Sequence, residues 1–170
     1  MHATFGPYIA EIETRENQDH TGPVTLPQLN QKFQQYNAKY FQNKLPRVSI
    51  RFANLPGDTA GLTSYTAVQQ GQQKSVQPDT LVISINDMFR SPNVHYGDQG
   101  SVDTIMLHEM THVLMAILGN VDEKHGQRFR TWLQKLSAAS GFSYQDLMGK
   151  QQAAEDIAVA RLRELAGIQG

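Results

Sequence analysis

His108-Glu109-Met110-Thr111-His112 sets two imidazoles four residues apart with a carboxylate beside the first. Residues four apart on a helix share one face on successive turns, so both side chains can ligate a single ion. Glu109 then lies beside the ion without occupying it. There it can take a proton from the water that the metal activates and later pass it to a leaving amine. Zinc at a hydrolytic site takes three protein ligands and keeps a fourth position open, so another ligand must come from elsewhere in the chain. His125 is the best placed: it follows His112 by 13 residues, in His125-Gly126-Gln127-Arg128-Phe129, at the mouth of the next helical pattern. Gly126 would let the backbone pass close to the site, and Phe129 would anchor the new helix beneath it. Asp122 and Glu123 stand in the same loop as competing ligands. His95 falls on a polar loop farther off, and His2 and His20 lie in an unpatterned start. His95 and Tyr96, just ahead of the motif, could stabilise an oxyanion, but no spacing selects either. The chain has no cysteine, which excludes disulfides, Cys-based zinc ribbons and thiol catalysis.

The motif needs a rigid carrier, and the pattern supplies one. From Ser101, a candidate N-cap, to about Leu118 the chain is apolar on nearly every side: Val102, Ile105, Met106, Leu107, Met110, Val113, Leu114 and Ile117. Such a helix is central and buried, and Gly119 ends it. Two imidazoles and a carboxylate on it would be costly without a metal or hydrogen-bond partners. Phe129, Trp132, Leu133 and Leu136 predict a further amphipathic helix closed by Gly141. Ser143 with Asp146 starts a last one, and Ile157, Leu162 and Leu165 extend it to about Ala166. Upstream, Leu29, Phe33, Tyr36, Tyr40 and Phe41 form one aromatic helical face that Pro46 terminates. Alternation predicts strands over Arg47–Phe52 and Leu81–Ile85 and, more weakly, Leu62–Val68; Gln69–Asp79 reads as a mobile Gln-rich loop. Asn54–Asp58 is a turn, and Asp87–Gly100 is another loop. The fold class is therefore α+β: a small, mostly antiparallel or mixed sheet packed on a central HExxH helix with flanking helices.

The 170 residues fit a single domain of ordinary size, and 39% apolar with 18% charged residues rules out wholesale disorder. The longest apolar run, Val113–Leu118, is far too short to span a membrane, and the first residues lack the basic start and apolar stretch of a signal peptide. An intracellular, cytoplasmic location follows as the expectation. Net charge is −1, distributed as −3 over residues 1–27, +3 over 28–150 and −1 over 151–170. The expected organisation is an extended arm at 1–27, a core at 28–142 and a helical extension at 143–170.

Tyr36-Asn37-Ala38-Lys39-Tyr40-Phe41-Gln42-Asn43-Lys44-Leu45-Pro46 resembles the helix-to-strand signature that opens SprT-like metallopeptidase domains. In that family two or three strands follow, then a helix with HExxH, then a His-Gly-x-x-Phe. Both later elements stand here in order, as His108–His112 and His125–Phe129, and the resemblance covers about residues 29–137. It implies a zincin-like core, a Zn²⁺ ion on His108, His112 and His125, and peptide hydrolysis with Glu109 as general base. A metzincin is excluded, because its next ligand would fall at position 118, which is Leu.

The departures shape the alternatives. Many SprT-like proteins carry a Cys-rich ribbon after the protease core, and some act on protein–DNA crosslinks. These 170 residues hold no cysteine for a ribbon, and the basic residues Lys124, Arg128, Arg130 and Lys135 give only weak grounds for DNA as a partner. The leading expectation is a zinc endopeptidase acting on protein or peptide substrates. It competes with a structural or assembly role inside a larger particle, such as a virion, with protein partners held by the N-terminal arm and C-terminal helix. The intact Glu109 favours the enzyme. Zincin analogy also suggests that an extended substrate could add to the edge of strand Leu81–Ile85.

Overall fold

A computed structural model describes residues 24–56, 59–90 and 102–149. Its first helix, α1 (Leu26–Tyr40), begins at a capping box: the Thr25 hydroxyl accepts from the Gln28 amide at 3.3 Å, and the Gln28 side chain accepts from the Thr25 amide at 2.8 Å. Leu29, Phe33 and Tyr36 are buried along the predicted face, with Phe41 just past the helix end and Tyr40 half-buried. The following turn explains the polar residues of the opening signature. Asn37 brackets Leu45, donating to its carbonyl and accepting from its amide, both at 3.1 Å. Gln42 and Asn43 take positive φ to reverse the chain.

That turn delivers β1 (Ser49–Ala53), followed by β2 (Gly61–Ser64), β3 (Ala67–Gln70), β4 (Gln73–Val76) and β5 (Val82–Asn86). The main sheet is mixed, in the order β1-β5-β2, with β1 parallel and β2 antiparallel to β5. Strand Leu81–Ile85, expected to present an edge, instead lies in the middle: both edges of β5 are taken, and the outer strand on the other side from β1 is β2. The stretch read as a mobile loop over Gln69–Asp79 also proves to be structured. β3 and β4 form a hairpin around Gly71, whose φ of +64° suits the tight turn. β2–β3 and β4–β5 are thus two arms of one long ribbon, whose register slips by three residues at the 3-10 turn Pro78–Thr80. Thr66 bridges that break, donating to the Thr80 hydroxyl and accepting from the Gln77 amide. The hairpin escapes an alternation test because its residues are nearly all exposed on both faces.

Helix α2 (Val102–Ile117) packs against α1, β2, β4, β5 and the two helices that follow, α3 (Gln127–Ser140) and α4 (Tyr144–Met148). Every residue of α2 is buried except His108, His112 and the terminal Ile117. Its N-terminal turn is tied to α1 through Asp103, whose Oδ1 accepts from Lys32 Nζ at 2.7 Å and from the Tyr36 hydroxyl at 2.6 Å. Helix α3 ends at Gly141 in the left-handed region, as its position predicts. Ser143 caps α4, but that helix closes at Met148 with Gly149 at φ +90°. The expected continuation through Ile157, Leu162 and Leu165, the arm to residue 23, His95, Tyr96 and the Ser101 cap all lie outside the described residues. Among the described residues no helix is long and apolar enough to cross a membrane.

Candidate metal centre

His108 and His112 project from the one open strip of an otherwise buried helix, and the loop after α2 brings His125 across to meet them. The three ring centroids lie 5.0–5.1 Å apart. One ring nitrogen from each falls within 4.8 Å of the others, so the group could hold a metal ion. Phe129, fully buried, floors the cluster: its ring stacks on His112 at 4.3 Å and meets His108 and His125 edge-on. The predicted anchoring role of Phe129 is met by these contacts. His108 Nε2 sits 3.2 Å from His125 Nε2. Its Nδ1 lies 2.7 Å from the Leu147 carbonyl, which can only accept. Burial holds the His108 imidazole down at about 4, offset in part by that carbonyl. His112 falls to about 2 through burial and then through repulsion from His108 and His125. Both rings are therefore neutral at physiological pH, the form in which imidazole ligates. Nitrogen donors alone, in a trio with an open side, suit zinc.

The loop that carries His125 is held at several points. Asn120 donates to the Met115 carbonyl at the end of α2, and Gly119 turns the chain at φ +87°. The Tyr65 hydroxyl donates to the Val121 carbonyl at 2.9 Å, and Lys74 of β4 pairs with Asp122 at 2.7 Å. Glu123 points to the start of α3, where its carboxylate accepts from the Arg128 amide at 2.9 Å. The two acidic residues weighed as ligands are thus engaged elsewhere, and neither belongs to the cluster. Gly126 also serves differently from its predicted role. A Cβ there would come within 2.9 Å of the Glu123 carbonyl and closer still to its carboxylate. The missing side chain makes room for the group that caps α3, not for the histidines.

Glu109 faces the sheet, 5% exposed. Thr63 of β2 reaches over it, its hydroxyl 2.7 Å from Glu109 Oε1 and 3.1 Å from the Glu109 carbonyl. Burial raises the carboxyl to about 7, against the lowering effect of the Thr63 bond. A group that titrates near neutrality can both accept and return a proton. Strand and helix touch at Gly61, where a Cβ would sit 2.8 Å from Ile105 Cγ2 and 3.0 Å from Glu109 Oε2. Sequence reasoning missed Gly61 and Thr63. A four-residue strand, Gly-Leu-Thr-Ser, carries no linear signal that its Thr63 will meet a helix residue 46 positions later; only the glycine hinted at a close backbone approach.

Residues 29–147 match the family model described as the SprT-like family. No curated protein matches the chain.

Proposed function

The chain belongs to the SprT-like family, and from that premise we propose that it is a zinc-dependent endopeptidase with His108, His112 and His125 as metal ligands and Glu109 as general base. One observation carries the reading: the imidazoles of His108, His112 and His125 converge over the open strip of α2, with the Glu109 carboxyl one residue away and anchored by Thr63. When bound, Zn²⁺ supplies a Lewis acid that polarises a carbonyl and makes water more acidic. Glu109 takes the proton of the attacking water and then delivers it to the departing amine. The Thr63 hydroxyl holds one carboxylate oxygen, leaving the other for the proton. Buried surroundings keep bulk water from competing for that proton.

A peptide substrate would run beside β2, the strand that overhangs Glu109. Among the described residues β2 pairs only with β5, so its other edge is open to an extended chain. This replaces the edge expected of Leu81–Ile85.

Two measurements on the full chain test the reading. Metal analysis is expected to find one zinc per chain, with Glu109→Gln retaining it and His125→Ala losing it. Hydrolysis of an unfolded casein by wild type, abolished in Glu109→Gln, is expected alongside. Undiminished turnover in Glu109→Gln removes the general-base role. Full zinc without turnover in wild type favours the assembly reading, with the domain used for binding.

A further inference from the structure

We infer that α4 is part of the metal site: the backbone carbonyl of Leu147 selects the tautomer and orientation of His108, making Leu147 a positioning residue for the metal. The inference rests on the zinc reading only for its effect on affinity; the tautomer itself can be read without metal.

A carbonyl oxygen has no proton to give, so the 2.7 Å contact requires the hydrogen on His108 Nδ1. Nε2 is then the free lone pair, and it points into the cluster beside His125 Nε2. A ring anchored at Nδ1 cannot rotate about its axis without losing that bond. Metal-bound imidazoles are commonly held in this way from behind. The carbonyl is available because it belongs to the last turn of a helix, where carbonyls lack intrahelical partners.

Several contacts fix α4 in place for a helix of five residues. Ser143 caps it, the Leu147 amide donates to the Ser143 carbonyl at 3.0 Å, and the Gly149 amide donates to Gln145 at 2.8 Å. The Leu147 and Met148 side chains are 1% and 2% exposed, and α4 packs on both α2 and α3. The helix is thus anchored to both elements that flank the histidine cluster. His108 depends on a segment that lies 39 residues beyond it in the chain.

The direct test replaces the peptide bond between Leu147 and Met148 by an ester, through the α-hydroxy analogue of methionine at position 148. This weakens the Leu147 carbonyl as an acceptor and leaves every side chain intact. The same replacement at the Met148–Gly149 bond removes the Gly149 amide and serves as the control for merely loosening α4. Zinc affinity is read by competition with a chelator, and the His108 tautomer by nitrogen-15 NMR of the metal-free full chain. The first ester is expected to weaken zinc about tenfold, the low end of such partner losses, and to give a mixture of tautomers; the control is expected to stay close to wild type in both. Wild-type His108 is expected to be protonated at Nδ1 alone. Equal zinc affinity in wild type and the first ester, or a wild-type His108 protonated at Nε2, overturns the inference. If wild type takes up no zinc, the peptidase reading fails, and the tautomer measurement still decides the role of Leu147.

Discussion

At Glu109 the burial that tunes the carboxyl also makes its charge costly, and this has a measurable sign in the metal-free protein. The folded carboxyl titrates at about 7, against an ordinary value of 4.5. Its contribution to stability is fully present below pH 4.5 and is lost as pH rises through 7, because the unfolded chain ionises more easily. Glutamine cannot ionise. Thermal unfolding of metal-free Glu109→Gln is therefore expected to gain on wild type as pH rises from 5 to 8, by up to about 3 kcal/mol at roughly 1.4 kcal/mol per pK unit. A constant difference across that range would show that Glu109 is not buried as described. Gly61 is the other residue on which the site turns. A methyl group there meets Ile105 and the Glu109 carboxylate at the closest approach of strand and helix. Gly61→Ala is expected to cost about 1–3 kcal/mol in urea unfolding and to suppress hydrolysis while zinc content stays at one per chain. Loss of zinc along with activity would mean that the damage spreads to the histidines.

The elements around His125 owe their order to contacts between helix, hairpin and loop. Helix α3 starts at Gly126, which has no side chain to cap it, and Glu123 takes over that duty from three residues upstream. Glu123→Ala is expected to cost about 1 kcal/mol, as other lost caps do, and to weaken zinc, since the same turn holds His125. Asp122→Ala removes only an exposed pair with Lys74 and is expected to change stability by under about 0.5 kcal/mol, with zinc retained. If Asp122→Ala released the metal instead, the assignment of His125 would need revision. The β3–β4 hairpin, through Lys74, is one of the elements that touch this loop. Its residues follow no apolar alternation because nearly all of them are exposed, with Val76 at its end touching the core, and its pairing rests on backbone hydrogen bonds that any polar sequence can make. That is why it could not be read from the residues.

For the molecule as a whole, the placement of α2 depends on a polar tie as well as on its apolar sides. Asp103 is 3% exposed and shares one oxygen between Lys32 and Tyr36 of α1. Asp103→Ala would strand the Lys32 ammonium in a largely buried setting, and equilibrium unfolding is expected to show a loss of about 3 kcal/mol. Lys32→Met added to it should recover part of that loss; no recovery would mean that the ion pair is not what Asp103 supports. This tie also shows where linear reading stops. The residues by themselves determined the helical faces, the buried α2, the stop at Gly141 and the candidate trio His108, His112 and His125, because each follows from spacing along one element or from a motif of a few consecutive residues. Even there a choice remained open, since Asp122, Glu123 and His125 share a loop, and only the folded loop sends the acids to Lys74 and Arg128. The tertiary structure alone decided that β5 is central and β2 its neighbour, that Thr63 and Gly61 meet Glu109, and that Leu147 backs His108. Those partners lie 46, 48 and 39 residues apart. Such contacts form when apolar faces pack and strands pair, and the local order of residues marks a face or a strand without marking its partner.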